Sequence, residues 1–167
     1  MEHLWSPWRS KYISSFKDKK EDVTCFLCEA AKCTDFNNEN LVVYKSDYSV
    51  VLMNRYPYNS GHLLIAPNIH IGDILKLGTN YLLDINVLIQ KSIIVLNNLY
   101  HPHGYNIGAN LGRAAGAGVP DHLHFHVVPR WNGDTNFVPV LSEVKIISEY
   151  IEEARERIEF EFKRIAN

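Results

Sequence analysis

Three histidines at alternate positions constrain this chain more than anything else in it. Residues 122–128 read His-Leu-His-Phe-His-Val-Val, alternating at period two over the first six positions, which predicts a strand. Residues i, i+2 and i+4 of a strand share a face, so His122, His124 and His126 are expected on one side and Leu123, Phe125 and Val127 in a core. At ~3.3 Å per residue, neighbouring imidazoles stand roughly 6.6 Å apart and the outer two about 13 Å. Such a row gains little from packing and points to chemistry. Two chemistries compete. Imidazole is a common metal ligand, but the outer two rings cannot share one ion at bonds of ~2.0–2.1 Å unless the strand bends. Alternatively, a neutral imidazole with a pKa near ~6.5 can attack phosphorus while its neighbours bind phosphate oxygens and assist the leaving group.

The rest of the chain predicts an α+β domain around that strand. Residues 40–45 and 48–53 form a hairpin about Ser46-Asp47, and residues 62–66 a third strand after the turn Asn59-Ser60-Gly61. A long helix spans about 79–99. Its apolar residues cannot all face one way, so it is expected to be well buried, in the core or at a subunit interface. Pro102 and Gly104 stop it; residues 105–110 form a fourth strand, and a Gly-rich loop at Gly112, Gly116 and Gly118 leads to the histidine strand. A last helix runs from about Ser142, its N-cap, to Ile165, with the stripe Val144, Ile147, Ile151, Ala154, Ile158, Phe162 and Ile165 and the pairs Glu153–Arg157 and Glu159–Lys163. The result is an antiparallel sheet of about five strands with one long helix and an appended C-terminal helix. The 167 residues divide into an arm (1–24), a core (25–139) and the C-terminal helix (140–167) of one domain.

Composition excludes several function classes. With 46% hydrophobic and 22% charged residues the chain can build a core, which excludes extended disorder, collagen and a coiled-coil rod. Lys plus Arg is 17 and Asp plus Glu 19, so no global basic field recruits nucleic acid, although a local site can take a compact anion. Residues 92–112 lack charges but are too polar for a membrane span, and residues 1–12 have no apolar secretory core. Three cysteines argue against a disulfide framework and for a reducing, cytoplasmic setting.

The His-Leu-His-Phe-His-Val-Val run resembles the signature of the histidine triad (HIT) family of nucleotide hydrolases and transferases. Asn54, the Gly61-His62 pair and Pro129-Arg130 sit where that family has them. Residues 4–9, 56–59, 110–112 and 130–137 resemble a narrower branch that includes bacterial diadenosine tetraphosphate phosphorylases. The resemblance implies that His124 is a nucleophile giving a nucleotidyl-histidine, its ring oriented by a main-chain carbonyl, that of His122. It implies phosphate contact or support from His126 and His62. Asn110 and the N–H groups of residues 116–119, including Gly116, Gly118 and Val119, would bind phosphate oxygens, and the strand end at Leu52 and Asn54 would line a nucleoside pocket. Many members carry Gln and then Ser or Thr before the triad; here Gly118 and Val119 stand there, as in the phosphorylase branch, which weakens a hydrolase reading more than a phosphorylase reading. A homodimer and an adenine nucleotide or dinucleoside polyphosphate substrate are also implied. The alternatives are a nucleoside phosphoramidase or AMP-ester hydrolase, and a nucleotide-binding regulatory protein with little turnover.

Cys25-Phe26-Leu27-Cys28 is half a zinc site by itself, with a pair of buried thiols as the plainer reading. Bacterial proteins similar to this one complete a structural zinc site with two histidines, here His70 and His122, and need no catalytic organic cofactor. Cys33 is incidental, His101 and His103 are surface residues, and Trp5, Trp8 and Tyr12 pack or stack on a base. Asp134 and Asn136 follow the triad strand, within possible reach of the site.

Overall fold

A computed structural model describes residues 24–134, 147 and 149–166. The elements are α1 (Phe26–Lys32), β1 (Val42–Lys45), β2 (Ser49–Met53), β3 (Leu63–Pro67), α2 (Thr79–Tyr100), β4 (Gly104–Ala109), β5 (Phe125–Arg130) and α3 (Ile151–Ala166), with short 3₁₀ turns at Ile74–Lys76 and Arg113–Ala115. The five strands make one antiparallel sheet in the order β1-β2-β3-β5-β4.

Alternation along the strands builds a core on each face. Val51, Met53, Leu63, Ile65 and Val127 join Ile85, Leu88, Val95 and Leu96 of α2 and Ala154, Ile158 and Phe162 of α3 in the larger core. Val42, Val50, Leu52, Leu64 and Ala66 form the smaller core with Leu27 and Ala30 of α1. His126 pairs with Leu64, so it lies on this second face, beyond the edge of the smaller core.

Three expectations need correction. The triad strand begins at Phe125 rather than at 122. Its partner β3 ends at Pro67, which has no amide proton, and whose carbonyl takes the His122 ring Nε2–H at 2.9 Å. The N–H groups of His122 and Leu123 bond instead to Val119 and Ile71. The C-terminal helix begins at Ile151, where Glu152 and Glu153 suit the positive helix end; Ile147, Glu149 and Tyr150 are not helical, and Ser142 and Val144 lie outside the described residues. Arg157 pairs with Glu149 at 2.8 Å instead of Glu153, whereas Glu159–Lys163 forms at 2.5 Å. The long helix buries one stripe in the core, and its remaining apolar residues Leu83 (65% exposed), Val87 and Ile94 face outward. It is long and apolar enough, by length and composition, to cross a membrane, yet its inner stripe packs on the sheet. The seven-residue α1, for which the sequence offers no periodic signal, covers the smaller core. The aromatic arm and Asn136 lie outside the described residues.

Candidate active site

Two histidines enter the site from adjacent strands. Gly61 has φ +71°, and a Cβ there would meet Leu96 Cδ2 at 2.9 Å, so only glycine lets the chain turn this close to α2 and deliver His62 to the start of β3. The main-chain N–H of Tyr58 donates to His62 Nδ1 at 3.0 Å, and Asn54 Nδ2 approaches the same atom at 3.3 Å. An Nδ1 that accepts leaves the ring proton on Nε2. That Nε2–H donates to His126 Nδ1 at 3.0 Å. The hydrogen-bond pattern therefore assigns the His126 proton to Nε2, a buried atom with no partner among the described residues. Burial, with a smaller push from His124, lowers the His126 pKa to about 4, so this ring is neutral at pH 7.

His124 has the opposite tautomer. Its Nδ1–H donates to the His122 main-chain carbonyl at 2.9 Å, which leaves the Nε2 lone pair free. The ring is 8% exposed. Burial lowers its pKa against the pull of the His122 carbonyl, so it too is neutral near pH 7. The His124 and His126 rings stand edge to face with centroids 5.2 Å apart. One ring of this neighbouring pair thus keeps an Nε2 lone pair and the other an Nε2–H that has no partner among the described residues. Tyr58 stacks on His126 with centroids 5.9 Å apart and tilts over His62 at 4.8 Å. The tyrosine stands out in the sequence only as part of the branch motif, and its main-chain donor has no side-chain signal.

Beside Tyr58 and His126 lies a cleft of about 440 Å³, lined also by Asn106, Gly108, Asn110 and Arg130 among others, with His62 and His124 behind its lining. Residues 126, 128 and 130 of β5 face the same way as 106 and 108 of β4, which pair beside them. Asp134 holds Arg130 by two hydrogen bonds, at 2.6 and 2.8 Å, and accepts from Asn59 at 2.8 Å. Its hydrogen bonds to Arg130 hold the carboxyl well below the usual range. Asp134 therefore reaches the cleft through Arg130.

The other expected residues are placed unevenly. Asn110 lines the cleft, and its Nδ2 points at the Gly116 carbonyl from 3.5 Å. The N–H groups of Gly116 and Ala117 are used within the loop, on Arg113 and Gly112; those of Gly118 and Val119 make no main-chain bond among the described residues. Asn54 serves the turn before β3, with Oδ1 accepting from the Tyr56 N–H at 3.0 Å. Leu52 is 2% exposed within the smaller core.

The first histidine of the row turns to a separate cluster. The ligand atoms of Cys25, Cys28, His70 and His122 all lie within 4.8 Å of one another. His122 Nδ1 is 3.3 Å from Cys25 Sγ and 3.4 Å from Cys28 Sγ, and His70 Nδ1 is 3.2 Å from Cys28 Sγ. A tetrahedral ion with bonds of ~2.3 Å to sulfur and ~2.0–2.1 Å to nitrogen sets its ligand atoms roughly 3.3–3.8 Å apart, so these residues fit a metal. The bond from His122 Nε2–H to Pro67 supplies the orientation that a ligating imidazole needs. Gly72 is the residue the sequence reading missed: a Cβ there would meet the Pro120 carbonyl oxygen at 2.5 Å. That close approach brings the His70 segment against the His122 segment.

Sheet, long helix and paired histidines define an α+β protein with a histidine row beside a cleft that His126 lines. The HIT domain profile matches residues 35–133. An AP-4-A phosphorylase of Mycobacterium tuberculosis (strain CDC 1551 / Oshkosh) is 33% identical over 168 residues, covering 98% of this chain and 86% of its own. An adenosine 5'-monophosphoramidase of Schizosaccharomyces pombe is 29% identical over 110 residues, 66% of this chain and 77% of its own. The crystal structure of a Zn-bound histidine triad family protein from Mycobacterium smegmatis aligns at TM-score 0.68 and 22% identity, covering 86% and 96% of the two chains. The chain belongs to the HIT domain family.

Proposed function

We propose that this chain is a nucleotidyl transferase that cleaves diadenosine tetraphosphate by phosphorolysis, through a nucleotidyl intermediate on His124. One observation carries the reading: His124, with its Nδ1–H on the His122 carbonyl, and His126, whose Nε2 has no partner among the described residues, are neighbouring rings with centroids 5.2 Å apart. In the first step His124 Nε2 attacks the α-phosphorus, and the bond to the bridging oxygen breaks. The electron pair leaves with ATP, whose departing oxygen accepts a hydrogen bond from His126. In the second step an oxygen of inorganic phosphate attacks the same phosphorus. The P–N bond breaks, the pair returns to Nε2, and ADP is released. Asn110 and the N–H groups of Gly118 and Val119 bind phosphate oxygens, as backbone donors in a Gly-rich loop can.

The likeness to the AP-4-A phosphorylase over nearly the whole chain supports this substrate. Cys25, Cys28, His70 and His122 hold a zinc ion in a structural role; four protein donors close its coordination shell and leave no position for substrate. A second copy of the chain covers the outward apolar residues Leu83, Val87 and Ile94 of α2.

Product analysis tests the proposal. Incubation with diadenosine tetraphosphate and phosphate should give ADP plus ATP, with neither formed when phosphate is withheld. AMP plus ATP without phosphate would replace phosphorolysis by hydrolysis. Absence of turnover, with cleavage of adenosine 5'-phosphoramidate instead, would move the protein to the phosphoramidase reading.

A further inference from the structure

His122 belongs to two sites at once. Its imidazole Nδ1 faces the sulfurs of Cys25 and Cys28, and its main-chain carbonyl accepts the Nδ1–H of His124. The residue lies outside the ladder, because β5 pairs with β3 and β4 only from Phe125 onward. Ladder hydrogen bonds therefore do not hold the carbonyl that orients His124. What holds it is the 3.3 Å bond from the His122 N–H to Val119, the 2.7 Å bond from the Leu123 N–H to Ile71, and the ties on the His122 ring. Two of those ring ties run to cysteine sulfurs. The site reaches the surface, with His122 buried, Cys25 and Cys28 half-buried and His70 exposed, so metal can leave it without the fold opening.

We infer that the Cys25–Cys28–His70–His122 cluster is a positioning device for the nucleophile: metal bound there fixes His122, and the His122 carbonyl then fixes the tautomer and orientation of His124. This rests on reading His124 as the nucleophile. His122 is the positioning residue, acting through its backbone. Loss of the metal releases Nδ1 and leaves the Pro67 bond as the remaining tie on the ring, which lets the carbonyl move, so the His124 proton redistributes between Nδ1 and Nε2. With the proton on Nε2 the lone pair no longer faces the phosphorus. Supporting partners of this kind are worth roughly 10- to 100-fold in activity when removed.

The test uses the full chain, ¹⁵N-labelled on histidine, loaded with zinc or stripped by a chelator, with far-UV circular dichroism to follow the fold. Long-range proton–nitrogen correlation reads the His124 tautomer directly. The loaded protein should show one tautomer, protonated at Nδ1, and the stripped protein a mixture. The rate of nucleotidyl-histidine formation should fall roughly 10- to 100-fold with it, and zinc should restore both. Should stripping unfold the chain, His70→Ala removes the exposed ligand, leaves the other three and weakens the site; across a zinc titration of that variant the tautomer must follow occupancy. A tautomer indifferent to occupancy, with an equal adduct rate, overturns the coupling and leaves the nucleophile intact. A tautomer that follows zinc in a protein that never forms the adduct supports the coupling and overturns the nucleophile.

Discussion

His62 Nε2 lies 3.0 Å from His126 Nδ1, and that contact decides which proton His126 can offer. The order runs from the Tyr58 main-chain N–H to His62 Nδ1, from His62 Nε2–H to His126 Nδ1, and ends at the buried His126 Nε2–H. His62→Asn breaks it at the middle. With no fixed donor to Nδ1, His126 is free to carry its proton on either nitrogen. The expected result is a kcat for diadenosine tetraphosphate lower by ~10- to 100-fold with little change in KM, because the bond this change misdirects, from His126 Nε2–H to the leaving oxygen, strengthens mainly in the transition state. Steady-state kinetics on the folded variant check this, and an unchanged kcat would remove His62 from the relay.

The relay also sets a pH dependence. The His126 pKa is lowered by burial to about 4, against ~6.5 for an imidazole in the unfolded chain. Between those values the unfolded chain binds the extra proton. Stability therefore rises with pH across the window from about 4 to ~6.5 and is lost as pH falls through it. A histidine NMR titration should place His126 near the lower end, while urea midpoints measured from pH 7 to 5 decline in parallel. A His126 midpoint near ~6.5 would remove the buried neutral donor.

The sheet and its helices were legible because they obey simple periods. Val50, Val51, Leu52 and Met53 announce a strand buried on both faces, and the apolar run of α2 is long enough to override competing signals. Gly61-His62 was legible because a glycine with positive φ before a strand leaves a mark in the residue types. What stayed hidden depends on the backbone or on partners far along the chain. Period two places His122 with His124 and His126, and nothing local reveals that Pro67, 55 residues away, ends the ladder and takes the His122 ring. The Tyr58 donor is a main-chain N–H that any residue but proline would supply. Helix α1 is two turns long, too short to show a period of its own. The role of Gly72 lies in the absence of a side chain against Pro120.

Gly72→Ala isolates the contact that unites the metal ligands. The added Cβ would lie 2.5 Å from the Pro120 carbonyl oxygen and 3.0 Å from Asp121 Cα, both backbone atoms that cannot rotate away. Relief requires the His70 and His122 segments to separate, at a cost of about 1–3 kcal/mol, the usual range for overpacking. The variant should melt at a lower temperature and bind zinc more weakly, measured by calorimetry and by competition with a chromogenic chelator. Undiminished zinc affinity would show that the two segments are held together elsewhere.

Phe162→Ala tests how the C-terminal helix is anchored. Phe162 is fully buried, and its ring stacks on Tyr44 of β1 with centroids 5.2 Å apart. Ile158 and Ala154, one and two turns earlier, are also fully buried, so the three form the stripe by which α3 joins the larger core. Polar contacts at its edge, such as Asn98 Nδ2 to Glu161 Oε1 at 2.7 Å, align the helix but bury little apolar area. Truncating the ring should cost about 3–5 kcal/mol in urea unfolding, as for other buried phenylalanines. The histidine centre sits on the opposite face of the sheet from this core, so kcat in the folded variant should stay close to that of the parent. A large stability loss with normal kcat fits that separation. A kcat that falls with stability would mean that α3 supports the histidines through the sheet.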